Sequence, residues 1–134
     1  MKGYVQNIQK IVNDNEDFRH VVYTSNHSQL VLMNLQPGEE IGLEVHDEND
    51  QYFRFESGEG RVVIDDNEYA VAAGFVALVP AGSQHNIINT SQSDTLRLLT
   101  MYMPPHHKDG IVRASKHEAE ENEEDFDGVT TETE

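Results

Sequence analysis

The chain has 134 residues, no cysteine and a formal net charge of -16 at pH 7. That length suits one domain with a sizeable core and leaves no room for a second of ordinary size, and the missing thiols exclude disulfides, cysteine nucleophiles and thiolate metal sites. The charge excludes nucleic acid, whose phosphates need a basic surface, although residues 117–134 hold nine acids and no lysine or arginine, so the rest carries only -7.

In chain order, a first strand is expected near Tyr4-Val5, then a short helix over Asn7–Asn13 with Ile8, Ile11 and Val12 on one face. From there nearly every signal is β. Strands are expected at Phe18–Thr24 and Gln29–Leu35, the latter ended by a Pro37-Gly38 turn. Glu44-Val45-His46 forms a short strand before the polar loop Asp47–Asp50, and Gln51–Glu56 follows, with Gly58 and Gly60 marking the next turn. Arg61–Ile64 and Glu68–Val71 flank Asp65-Asp66-Asn67, a tight hairpin. Phe75–Val79, His85–Asn89 and Thr95–Tyr102 complete a set of short strands that predicts an all-β sandwich or barrel, with a jelly roll as the usual closure.

After Pro104-Pro105 the alternation stops. Ser115-Lys116-His117-Glu118 has the form of a capping box for a short helix. The acidic run behind it has almost no apolar face, so residues 1–113 are read as the domain and 114–134 as a disordered acidic tail. No apolar run approaches the roughly 18 residues of a membrane span, and Met1–Lys10 has no apolar signal core. A cytoplasmic protein with no membrane partner is expected.

Side chains two apart on a strand share a face, which puts Glu44 and His46 together. Gln51 opens the partner strand across a polar loop, and His85 opens another just after the Pro80-Ala81-Gly82 corner. Four side chains able to ligate, all at strand starts near one barrel mouth, make a candidate metal shell of Glu44, His46, Gln51 and His85. Imidazole and carboxylate suit a divalent Zn, Mn, Fe, Ni or Cu ion without choosing among them.

These segments resemble the cupin family. Gly74, Pro80, Gly82, His85 and Asn89 fill every fixed position of its second motif, G-x5-P-x-G-x2-H-x3-N. The first motif, G-x5-H-x-H-x3,4-E-x6-G, is met with two departures: Gly38, His46 and Gly58 fit, Glu44 stands at the first histidine and Gln51 at the glutamate. The resemblance covers roughly residues 28–103. It extends to small single-domain bacterial cupins with a Glu-Val-His-x4-Gln core and a Pro-Pro-His-His ending, often labelled mannose-6-phosphate-isomerase-like. It implies a conical double-stranded β-helix (the cupin jelly-roll barrel), a divalent metal and a homodimer. The two departures leave two histidines and one carboxylate, the composition of the non-haem iron triad. Gln51 is either a fourth ligand or a hydrogen-bond partner of Glu44.

Asn89, the glycines and Pro80 are expected to be structural, and Phe53 and Phe55 to share the inward face of their strand. His106 and His107 either fold back over the mouth or lie exposed in a loop. His20, His27 and His117 are read as structural or exposed. The function implied is that of a metal-dependent enzyme acting on a small molecule, dioxygenase-like or isomerase-like. The alternatives are a non-catalytic small-molecule or sugar-binding module, or a metal-free structural barrel.

Overall fold

Alternating side chains set most of the strands, and where a strand is covered on both faces the alternation gives way to an apolar run. The structure, a computed structural model, describes residues 1–132. Helix α1 (Ile8–Asp14) precedes β1 (Arg19–Thr24), β2 (Gln29–Leu35), β3 (Glu44–Val45), β4 (Asp50–Ser57) and β5 (Glu59–Ile64). Then come β6 (Asn67–Ala72), β7 (Val76–Val79), β8 (Gln84–Asn89), β9 (Leu96–Met103), β10 (Val112–Arg113) and α2 (Lys116–Glu121). One sheet has the order β10-β1-β2-β9-β4-β7 and the other β3-β8-β5-β6. The chain passes from one sheet to the other after β2, β3, β4, β6, β7 and β8, which is the weave of a double-stranded β-helix.

Between the sheets lies the main core. Val31, Met33 and Leu35 of β2, Phe53 and Phe55 of β4, and Leu96 and Leu98 of β9 enter it from one side; Val62 and Ile87 enter from the other. Each fully buried side chain of this size contributes about 1.5–3 kcal/mol. The opposite face of the larger sheet is also covered. Ile8, Ile11 and Val12 of α1 pack on Leu30, Leu32, Leu99, Met101 and Tyr52, which is why β2 reads as Gln-Leu-Val-Leu-Met-Asn-Leu rather than as a strict alternation.

Asn89 has the structural role expected of it. Its side-chain amide donates to the Leu35, Gln36 and Asp94 carbonyls at 2.9–3.1 Å and its oxygen accepts from the Ser91 amide, tying the end of β8 to the loops on either side of it. The β5–β6 hairpin turns at Asp65-Asp66, with Asp65 at φ 51°, a left-handed conformation that aspartate tolerates better than most residues.

Three expectations change. Asn7 is the cap of α1, its Oδ1 accepting from the Lys10 amide at 3.1 Å, so the helix begins one residue later. No strand forms at Tyr4-Val5: Gly3 takes φ +71°, and the Lys2 and Gly3 amides bond Glu132 instead of a neighbouring strand. Nor does the disordered tail hold over residues 114–132. Ser115 does cap α2, its Oγ accepting from the Glu118 amide, and Ala119 is buried against the barrel. Beyond it, the Arg113 guanidinium bonds the Asn122 carbonyl, and Lys108–Glu124, Phe126–His106 and Thr131–Thr24 backbone bonds follow. Hydrogen bonds rather than apolar burial hold this segment, so its composition did not reveal it. Thr133 and Glu134, included in the same expectation, lie outside the described residues. Among the described residues, no helix is long and apolar enough to cross a membrane.

Candidate metal centre

Strand register brings the site together. β3 against β8 sets Glu44 opposite His85, and β4 against β9 sets Gln51 opposite Tyr102. His46 follows directly on β3, and its carbonyl accepts from the Gly82 amide at 3.0 Å, fastening the two motif halves to each other. Phe53 is buried beside His85, its ring 6.0 Å from the imidazole.

One ligand atom from each of Glu44, His46 and His85 lies within 4.8 Å of the others. His46 Nε2 is 2.9 Å from Glu44 Oε2. His85 Nδ1 is 3.2 Å from the Ser83 carbonyl, which can only accept, so Nδ1 carries the proton and Nε2 a lone pair. That Nε2 is buried with no hydrogen-bond partner. Gln51, 2% exposed, donates from Nε2 to Thr100 Oγ1 at 2.9 Å, and its Oε1 is likewise buried and unpartnered. It therefore makes no bond to Glu44. Two buried acceptors left without donors cost about 1–3 kcal/mol each. They suit a cation, so the donor set fits a divalent metal.

Electrostatics agree with that arrangement. Burial works to raise the Glu44 carboxyl, but the hydrogen bond with His46 and the charges of His46, His85 and Arg19 hold it below its ordinary value. Burial lowers His85, aided by His46 and opposed by the Ser83 carbonyl and Glu44. Its imidazole is thus neutral, as a ligand must be, at neutral pH.

Further residues complete a cavity of about 300 Å³ at this end of the barrel. The His106 ring lies 4.4 Å from that of His46 and stacks on Tyr102 at 5.1 Å, so of its two expected placements it takes the one over the mouth. His107 is buried behind it, its ring 5.1 Å from Tyr102. Both backbone amides donate to Gln29 Oε1, and Gln29 Nε2 donates to the His107 carbonyl. A single buried glutamine thereby fixes the pair. Burial lowers both imidazoles, His107 to about 2, and raises the Tyr102 phenol, with the Glu44 charge adding to the rise. Arg19 of β1 and Glu123, Glu124 and Asp125 of the C-terminal segment also line the cavity. Arg19 and Tyr102 were not anticipated as site residues. Tyr102 was visible only as the last residue of the expected strand Thr95–Tyr102, whereas nothing in the local sequence marks Arg19.

Comparison with known proteins agrees with this geometry. A family described as Cupin domain matches residues 31–102. The chain is 40% identical over 112 residues to an uncharacterised protein of Acanthamoeba polyphaga mimivirus, covering 81% of this chain and 70% of that one. It is 38% identical over 124 residues to the uncharacterised protein YrkC of Bacillus subtilis (strain 168), covering 88% of this chain and 66% of that one. Among solved structures, BH2720 from Bacillus halodurans superposes with a TM-score of 0.88 at 35% identity, over 90% of this chain and 96% of that one.

Proposed function

The chain belongs to the cupin domain family, and on that premise we propose that Glu44, His46 and His85, joined by Gln51, hold one divalent metal ion at which a small molecule is converted. The observation that carries this reading is that two of the four buried side-chain polar atoms without a hydrogen-bond partner among the described residues, His85 Nε2 and Gln51 Oε1, belong to the candidate ligands. Two imidazole nitrogens and two oxygens suit Zn, Mn, Fe, Ni or Cu. When bound, such an ion polarises a substrate oxygen or activates dioxygen or water, which accommodates a dioxygenase-like or an isomerase-like reaction.

The protein's own groups take defined parts. Phe53, fully buried beside His85, keeps water from the inner side of the candidate ligands. His106, kept neutral by burial, accepts a proton from a substrate lying against it. Tyr102, whose phenol stays protonated, serves as a hydrogen-bond donor.

The test begins with elemental analysis of protein purified without added metal, then dialysed against each candidate ion. Wild type should hold about one equivalent, and a His46→Ala/His85→Ala variant with an unchanged circular dichroism spectrum should hold none. If wild type takes up no ion from any bath, the reading is wrong. Oxygen consumption with catechol-like, diketone and thiol substrates then separates oxygenase from isomerase chemistry. Loaded protein that binds such molecules without turnover would be a binding module. Sugar-phosphate isomerisation should be negative, because no lysine and a single arginine line the cavity.

A further inference from the structure

One positive charge in the cavity has no part in holding a metal. Arg19 opens β1, next to β10 at the sheet edge, and its side chain lines the mouth with Glu44, His46, Tyr102 and His106. The chain contains five arginines. Arg54, Arg61, Arg97 and Arg113 each meet a carboxylate, at 2.8, 3.4, 3.1 and 3.5 Å. Arg19 meets none among the described residues, and its Nε is buried without a hydrogen-bond partner. Its guanidinium carbon sits 5.5 Å from the centroid of the Phe18 ring, a contact that holds the group without using its donors. Of the acids that line the cavity with it, Glu44 pairs with His46 and Glu124 with Arg113.

We propose that Arg19 receives the carboxylate of the substrate, so that the molecule converted at this site is a small carboxylic acid. A guanidinium presents a planar fork that matches a carboxylate with two parallel hydrogen bonds. Arg19 and Glu44 cancel, so a divalent ion would leave the inner cavity positive and favourable to a monoanion. A phosphate dianion is disfavoured, since it would have one guanidinium and no lysine to meet it, beside Glu123, Glu124 and Asp125 at the rim. The inference rests on the metal reading for the place of reaction, but capture of the carboxylate by Arg19 does not require the ion.

The experiment is a chemical-shift titration of zinc-loaded and metal-free protein with propionate, with its neutral isostere propionamide and with inorganic phosphate. It uses wild type, Arg19→Gln and Arg19→Lys, with zinc content measured on every sample. Wild type should bind propionate at least tenfold more tightly than propionamide or phosphate. Arg19→Gln should lose at least tenfold for propionate with its zinc content unchanged, and Arg19→Lys should recover part of that loss. Equal propionate affinity in wild type and Arg19→Gln would overturn the proposal, as would equal affinity of wild type for the acid and the amide. Should Arg19→Gln fail to fold, the acid-to-amide ratio in wild type and the Arg19→Lys titration decide. A wild type without zinc would sink the metal reading alone, and the metal-free titrations would still judge Arg19.

Discussion

At position 51 an amide stands where the cupin motif usually has a carboxylate, and its two ends behave differently. Nε2 is satisfied by Thr100 and Oε1 is not. Gln51→Glu would place a second buried carboxylate near Glu44. Without metal this variant should be several kcal/mol less stable, because a charge is buried unpaired. With zinc it should recover and bind the ion about tenfold more tightly, the added charge being worth roughly 1.4 kcal/mol. Thermal unfolding with and without zinc, and chelator competition, measure both; unchanged values would mean the residue 51 oxygen faces away from the metal. Thr100→Val keeps the volume but removes the acceptor for Gln51 Nε2, and should cost about 1–3 kcal/mol in urea unfolding. The convergence of Glu44, His46 and His85 was legible because strand alternation and motif spacing are local properties. Arg19 was not, since its meaning lies in a missing partner and in the pairing of β1 beside β10. His106 was legible only as a histidine after two prolines: what places it is Gln29, 77 residues earlier.

Among the elements, the corners where the chain changes sheet carry the architecture, and two glycines there are not equivalent. Gly58, between β4 and β5, has φ +91°, and a Cβ on it would lie 2.5 Å from the Thr95 carbonyl oxygen. Gly74, before β7, has the same φ but nothing within 4 Å of such a Cβ. Gly74→Ala should therefore cost only the left-handed backbone, about 1–2 kcal/mol, whereas Gly58→Ala adds a backbone clash and should cost about 2–5 kcal/mol. Equal denaturation midpoints for the two variants would contradict the close packing of β4–β5 against the start of β9. The sequence marked Gly58 as a turn and Gly74 as a structural motif position but could not rank them, because the atom that separates them belongs to a segment 37 residues away. The strands from β1 to β9 were readable from their two-residue periods and apolar runs, whereas β10, two residues long, was not anticipated. Tyr4-Val5 had the residue types of a strand and lacked a neighbouring edge to pair with, which no local pattern reports.

For the molecule as a whole, the acidic C-terminal segment ties the ends of the chain together beside the cavity. The Glu132 carboxylate accepts from the Tyr23 hydroxyl and from the Lys2 and Gly3 amides. Thr131 pairs with Thr24 through both backbone and hydroxyl and reaches Asp109. Upstream, the same segment bridges to His107 at Asp125 and lines the mouth. Its charge suggested a solvated end, yet a carboxylate that gathers three donors is an anchor. Those bonds, the Tyr23 hydroxyl foremost, hold Glu132 below its ordinary value of 4.5. A depressed folded value means the stabilisation is complete above about pH 4.5 and disappears as pH falls through the folded value. His107, held near 2, stays neutral through most of that window. Amide protection factors at Lys2, Gly3 and Thr131, corrected for intrinsic exchange, should hold from pH 7 to pH 5 and fall below pH 4.5, while Phe53 stays protected. Glu132→Gln should start with weaker protection at these amides and show no such step. A step of the same size and midpoint in that variant would mean that another group releases the segment and that Glu132 is not the latch.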